Sequence, residues 1–353
     1  MQLPFRIWPV ALALTCLLWA GCTPNERPTA GSENNPPERA ERRESSTSTA
    51  PAAASTNHPA RHQKSFGPHA TFALELEQAW QLDAPEGQRF DASALLMRTN
   101  GELWTLNDRG ASLYRIEFQP GLSSAKLVLI PDFFTATQMT ALAPHKHGRF
   151  DCEGMAQDAQ GRVYLCEEAD RWILRCDPAT HTVERLGISW KPVKKYFSHD
   201  NQNASFEGVA VGGDRLYVAN ERDQGRIIVV DLKTQKVVDD FTVTTRRWFS
   251  KDVHYSDLSW FDGALYALLR EKHLVLKLDP ASHAVLAEYD YSAIESRPEL
   301  AYHTRSGTGA MEGLAVTKDC FWLVTDNNGL PRKRFPDDSR PTLIKCPRPD
   351  REL

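Results

Sequence analysis

The chain has 353 residues, 42 of them Lys or Arg and 46 Asp or Glu, for a formal net charge of −4. Acids and bases are mixed along it, which excludes the basic footprint of a nucleic-acid binder. Beyond the first two dozen residues, no apolar run approaches the ~20 residues a membrane-spanning helix needs.

The N-terminus reads as an export signal. Arg6 supplies a positive charge, Ile7 to Ala20 form an apolar stretch, and Ala20-Gly21-Cys22 sets small residues directly before a cysteine. That arrangement predicts a lipoprotein signal peptide over residues 1–22, with Cys22 acylated as the new N-terminus; the alternatives are an ordinary cleaved signal or a retained anchor. Thr23 follows Cys22 where an Asp would hold the protein at the inner membrane, so the expected location is the periplasmic side of the outer membrane or the cell surface. Residues 23–65 are Pro, Ser, Thr, Ala, Glu and Arg with almost no large apolar residue, which predicts a disordered tether. A coil of this length reaches on the order of 35–40 Å. Residues 66–353 then form the folded domain, expected to be monomeric.

One pattern recurs five times after the tether. Each copy opens with a short apolar stretch bearing an acid or small polar residue: Asp91-Ala92-Ser93-Ala94-Leu95, Cys152-Glu153-Gly154-Met155, Phe206-Glu207-Gly208-Val209, Ser256-Asp257-Leu258-Ser259 and Met311-Glu312-Gly313-Leu314. A turn follows, such as Asn100-Gly101 or Asp262-Gly263, whose residues tolerate the positive φ of tight hairpins. A second strand then carries an aromatic at a fixed place: Trp104, Tyr164, Tyr217, Tyr266 and Trp322. Polar clusters end these strands, and third strands follow as Ser112–Phe118, Trp172–Asp177, Arg226–Leu232, Leu274–Asp279 and Thr342–Cys346. Fourth strands are legible around Val183, Val237 and Val285.

Openings at 93, 153, 207, 257 and 312 recur every 50 to 60 residues. Short strands at this spacing predict an all-β fold, a β-propeller of five blades, with six conceivable. The last copy lacks a fourth strand, while Phe72–Leu82 is a strand without a blade. Pairing the two would close the ring and remove an open edge. Two packed sandwiches are the rival, but they leave the recurring acid and aromatic unexplained.

Five cysteines fall in this domain: Cys152, Cys166, Cys176, Cys320 and Cys346. Export makes disulfides possible. Cys320 begins a second strand and Cys346 ends the adjacent third strand, so they are expected to pair. Cys152, Cys166 and Cys176 lie on three neighbouring strands, where only two can pair.

The openings Glu153-Gly-Met-Ala, Glu207-Gly-Val-Ala and Glu312-Gly-Leu-Ala, each followed by Leu/Val/Phe-Tyr/Trp and an acidic or Asn-rich cluster, resemble the phytase-like propellers. These are the group with esterase-like activity of phytase, together with the related SdiA-regulated propellers. Glu153 to Arg175 is also similar to a blade of the alkaline β-propeller phytases. The resemblance implies an acidic axial face that binds Ca²⁺, with phosphate held between metal and basic residues. The chain departs from it in blade count, five against six, and in lacking a dense basic cluster for several phosphates.

In a propeller the first strand of each blade lines the axis. Glu153, Glu207, Asp257 and Glu312 are therefore expected at equivalent inner places, with Ser93 breaking the ring. Converging carboxylates repel one another unless a cation or arginines compensate. Oxygen donors without a Cys or His cluster favour a hard ion, Ca²⁺ before Mg²⁺. The bland reading is a ring of ion pairs with Arg109, Arg222 and Arg270, or hydrogen bonds to the next blade's amides. Asn107, Asp108, Arg109, Glu168, Asn220, Glu221, Arg270, Asp326 and Asn327 end second strands near one mouth and are candidate substrate contacts, or simple strand caps. Lys194, Lys195, His199, Lys251, His254, His303 and Arg305 lie in polar loops and are read as solvated, as are His145 and His147. No Gly-x-Ser-x-Gly, P-loop or His-Glu-x-x-His motif occurs. The functional expectation is metal-dependent hydrolysis of a phosphate or other ester, with Glu207, Glu312 and Arg222 as catalytic candidates. The alternative is a non-catalytic cell-surface propeller that binds a partner.

Overall fold

The computed structural model describes residues 69–142, 150–198, 204–223, 225–245, 253–304 and 310–351. The expected signal, Cys22, the tether, and the loop residues His145, His147, His199, Lys251 and Arg305 lie outside these.

Each copy of the repeat folds into one antiparallel sheet, entered from the axis outward. Blade 1 is Ala92–Met97, Leu103–Asn107, Leu113–Phe118 and Ser124–Leu129; blade 2 is Cys152–Gln157, Val163–Glu167, Trp172–Asp177 and Thr182–Arg185. Blade 3 is Phe206–Gly212, Arg215–Asn220, Arg226–Asp231 and Lys236–Phe241; blade 4 is Asp257–Phe261, Ala264–Leu269, Leu274–Leu278 and Val285–Asp290. Blade 5 takes Met311–Val316, Cys320–Thr325 and Thr342–Pro347 from the C-terminal end, and its fourth strand, Gln78–Asp83, from before blade 1. The hairpin turns have the expected chemistry. Asp262 and Gly263, both at positive φ (49° and 74°), form the two-residue turn of blade 4.

The first strands lie side by side in chain order, and that of blade 5 returns to that of blade 1, so the ring closes on five blades. Ring closure follows the expectation with one change. The stretch Phe72–Leu82 divides: Gln78–Asp83 completes blade 5, whereas Ala70–Ala73 runs parallel to Val285–Asp290 on the outer edge of blade 4. Gln81–Asp83 also pairs with Ser124–Lys126, so the sheets of blades 5 and 1 join at their outer edges. The fourth strand of blade 1, Ser124–Leu129, was not legible in the repeat.

Five hydrophobic clusters hold the ring, one at each blade interface. The recurring aromatics face them in rotation: Trp104 toward blade 2, Tyr164 toward blade 3, Tyr217 toward blade 4, Tyr266 toward blade 5 and Trp322 toward blade 1. A strand buried on both faces needs an apolar side chain at every place, and the second strands are buried almost throughout.

The expected Cys320–Cys346 disulfide is not formed. The register pairs Cys320 with Pro347 and Phe321 with Cys346. One residue of offset reverses the face on which a strand side chain points. Cys320 therefore packs with Trp80 and Trp322 toward blade 1, and Cys346 with Tyr289 and Phe321 toward blade 4. Cys152 and Cys176 face blade 1 and Cys166 faces blade 3, and all five are free thiols.

At the axis the strands approach too closely for side chains. A Cβ on Gly208 would lie 2.7 Å from Asp257 Cα and 2.8 Å from Leu258 N, and one on Gly154 would lie 2.7 Å from Gly208 Cα. These neighbours are backbone atoms that cannot swing aside. Gly208→Ala is expected to lose ~1–3 kcal/mol of unfolding free energy, read from urea melts. Gly110→Ala, where a Cβ meets nothing within 4 Å, is expected to change little. Equal stability of the two variants would contradict the close approach.

Candidate functional site

The place before each axial glycine is irregular. The first strands of blades 1, 2, 3 and 5 shift register between Ala92 and Ala94, Cys152 and Gly154, Phe206 and Gly208, and Met311 and Gly313. The residues left unpaired by these bulges are Ser93, Glu153, Glu207 and Glu312. A bulge re-aims a side chain out of the ladder, and here it turns three glutamates to one mouth of the axis. Ser93 Oγ instead donates to the Cys152 carbonyl at 3.1 Å, stitching blade 1 to blade 2.

Asp257 does not belong to this set. Blade 4 has no bulge: Asp257 pairs directly with Leu268. Its Cα abuts Gly208, so it stands at the glycine level, one place further along the axis. Its carboxylate accepts the amides of Leu258 and of Leu314, each at 2.8 Å, and that of Leu95. One buried side chain thus ties blades 4, 5 and 1 together across the channel. Burial pushes its pKa well up, while the three amides favour the charged form. The expected metal ligand is a structural plug, the hydrogen-bonded reading of the inner acids.

The mouth divides into two chemically distinct halves. In blades 3 to 5, arginines compensate the acids. Arg270 contacts Glu312 through Nη1 and reaches Glu221 through Nη2 at 3.0 Å, while Arg222 Nε contacts the other oxygen of Glu221. Glu207 is buried among them; burial and the charges of Glu221 and Glu168 hold its pKa well up, against Arg270 and Arg222. In blades 1 and 2 the acids face one another. One carboxylate oxygen from each of Asp108, Asp151 and Glu153 lies within 4.8 Å of the others. Asp108 Oδ1 is buried without a hydrogen-bond partner. Burial, then Asp91, Asp326 and Asp151, push Asp108 up to about 7. Glu153 is half-buried by area, yet the enclosure of its carboxyl is the main cause of its strongly raised pKa, followed by Glu207 and Glu168.

Glu168 links the halves. It is buried, its Oε1 has no partner, and burial with Asp151 and Glu221 raises it to about 8, Arg222 opposing. Asp326, raised by burial to about 6, accepts the Asn328 amide at 2.7 Å. Asp91, buried beside Asp108, is held by Arg89 Nε at 2.7 Å and Arg109 Nη1 at 3.6 Å.

Several of the candidate substrate contacts hold backbone where the second strands end. Asn107 Oδ1 accepts the amides of Asp91 and Arg109, each at 3.3 Å. Asn220 Nδ2 donates to the Arg222 carbonyl at 3.4 Å, and Asn327 Nδ2 to the carbonyls of Leu330 (2.6 Å) and Ser339 (2.7 Å). Lys194, Lys195 and His303 are exposed. His254, read as solvated, pairs with Glu271 at 2.9 Å and acts on Glu221. Asp151 was missed in sequence. Its available signal was Asp151-Cys152-Glu153, two acids at alternate places of a strand entry.

Known proteins bear on the fold. The family model described as "Phytase-like: Esterase-like activity of phytase" matches residues 91–329. Among solved structures, glutaminyl cyclase of Myxococcus xanthus is 13% identical with a TM-score of 0.53, over 79% of this chain and 97% of that one. Virginiamycin B lyase of Staphylococcus aureus is also 13% identical, with a TM-score of 0.38, over 78% of this chain and 76% of that one. No curated protein matches the chain. The family match spans more than half of the residues, and the chain belongs to the phytase-like family.

Two expectations follow from the geometry. Asp257→Ala leaves three buried amides unsatisfied and is expected to lose on the order of 3 kcal/mol in urea melts; a loss within experimental error would remove the plug. The second concerns pH. A carboxyl whose folded pKa is raised binds its proton better folded than unfolded, so its contribution is present at acid pH and lost as pH rises through the folded value. With Asp326 near 6, Asp108 near 7 and Glu168 near 8, the metal-free melting temperature is expected to fall from pH 5 to pH 9. A flat or rising profile would show that the acids are compensated.

Proposed function

We propose that this member of the phytase-like family is a lipid-anchored, extracytoplasmic hydrolase of an ester or phosphoester that uses Ca²⁺. The observation that carries the reading is the convergence of Asp108, Asp151 and Glu153 beside an arginine-bearing half of the same mouth. The donor set fits a hard cation: it is all oxygen, and Asp108 offers a buried oxygen with no other partner. A bound ion would polarise the ester and make a coordinated water acidic enough to attack at neutral pH.

The chain's own residues supply the rest. Glu168 keeps its proton near neutral pH and serves as the acid for the departing oxygen. Glu207, enclosed between Glu221 and Arg270, is a second proton holder. Arg222 and Arg270 are aimed by Glu221, and a guanidinium fixed in this way stabilises charge that develops on the substrate without reorganising. Glu312 orients Arg270 from the other side. One observation favours the binding alternative: both arginines already hold carboxylates, which leaves them less available to a substrate anion. The export signal and Cys22 support an outer-membrane or surface location.

The test separates the parts. Ca²⁺ is expected to raise the melting temperature of the wild type by several degrees at pH 8, EDTA to reverse this, and Asp151→Asn or Glu153→Gln to abolish the rise. Glu168→Gln is expected to keep the Ca²⁺ response and lose at least about tenfold in turnover on an ester and phosphoester panel. Identical melts in Ca²⁺ and EDTA would sink the metal site. A full Ca²⁺ response without turnover on any substrate would leave the binding reading in possession of the mouth.

A further inference from the structure

The segment that enters blade 1 brings to the mouth an arginine that the repeat did not flag. Arg89 stands two places before Asp91, and Arg109 follows Asp108 just past the second strand. Both reach the buried carboxylate of Asp91. Arg89 Nε lies 2.9 Å from Oδ1 and 2.7 Å from Oδ2, and Arg109 Nη1 lies 3.6 Å from Oδ2. Two guanidinium groups thus straddle one acid, whose single charge balances only one of them.

Arg89 is held by more than this pair. Its side chain runs so close over Gly329 that a Cβ there would lie 2.9 Å from Nε and 3.1 Å from Cδ. The neighbouring Asn328 occupies both oxygens of Asp326, donating its amide at 2.7 Å and its Nδ2 at 2.8 Å. Asp326 acts on Arg89 by its charge but makes no ion pair with it. The Nη groups of Arg89 have no partner among the described residues, and the side chains of Arg89 and Arg109 are 46% and 49% exposed. Arg222 and Arg270 are more deeply covered, both hold Glu221, and Arg270 also holds Glu312. An oxyanion is what a positioned guanidinium with unused donors recognises, because its fork matches the oxygens of a phosphate or carboxylate.

We propose that Arg89 and Arg109 form the anion subsite of this mouth, holding an oxyanion group of the substrate beside Asp108, Asp151 and Glu153. The inference rests on the reading of the mouth as an esterase and narrows its substrate to an ester that carries a negative charge. The charges of both arginines act on Asp108, so the subsite adjoins the acidic cluster. The acids around the pair oppose an anion, and a cation on the cluster offsets them. Anion and Ca²⁺ therefore strengthen one another's binding.

Methylphosphonate, a phosphate mimic that is not hydrolysed, and acetate probe the full-length chain by calorimetric titration, with Ca²⁺ present and after its removal. A saturable site for at least one of them is expected, several-fold tighter in Ca²⁺, and the tighter probe identifies the substrate's group. Arg89→Gln and Arg109→Gln are each expected to weaken that binding at least about tenfold. Gly329→Ala keeps both charges but pushes the Arg89 guanidinium aside, and is expected to weaken it several-fold. Arg115→Gln, on the third strand of blade 1 and paired with Glu102, is expected to change nothing. No saturable binding of either probe, or binding undiminished in folded Arg109→Gln and Gly329→Ala, would overturn the subsite. Binding that depends on the two arginines but not on Ca²⁺ would uphold the subsite and count against the metal site alone.

Discussion

Five strands meet around one axis at a separation that leaves no room for a Cβ at Gly154, Gly208 or Gly313, and the rest of the molecule is arranged around that crowding. Where the strands touch, the channel narrows to backbone. Blade 1 places only a methyl there, at Ala94, and blade 4 places Asp257, which is held by three amides from three blades. Immediately before the contact, bulges release Glu153, Glu207 and Glu312 from the ladder toward one mouth. Immediately after it, apolar residues of the same strands line the other end. A single steric constraint thus gives the axis two chemically unlike ends and a seal between them.

Carboxylates gathered and buried at one mouth must be compensated, since burying a charge alone is costly. The protein does this in two ways. Blades 3 to 5 use guanidinium groups, with Arg270 spanning Glu221 and Glu312. In blades 1 and 2 burial and neighbouring carboxylates push Asp108 up to about 7 and raise Glu153 well above the usual carboxylate range, which favours their protonated forms. Protons and a hard cation compete for the same oxygens. The proposed function rests on that competition and on the unequal distribution of charge around the mouth.

Much of this was legible in the chain. The repeat gave five blades with six left open, because each blade buries two faces and so needs the same apolar pattern each time, and the return of the last first strand to the first settles five. The recurring Trp or Tyr did mark the blade interfaces, and the orphan N-terminal strand did close the last blade. The errors share one cause. Register was read as unbroken, but four first strands carry a bulge and the fifth does not. Asp257 was therefore aligned with glutamates that sit one place earlier, and Cys320 was set opposite Cys346 when the ladder is offset by one residue. Alternation along a strand turns such an offset into the opposite face.

Sequence by itself determined the architecture: repeated apolar strands, turn dipeptides and a displaced terminal strand admit few closed arrangements, and the propeller is the one that buries them all. Acidic and amide residues at the blade entries also announced a polar mouth. Only the tertiary structure decided which acids meet. Asp108 comes from the turn just past the second strand of blade 1, while Asp151 and Glu153 come from the entry of blade 2, a proximity no spacing in the chain encodes. It likewise decided that Arg270 faces Glu312 and that Asp257 faces amides, because partners across an axis are chosen by blade rotation and local bulges rather than by neighbours in sequence.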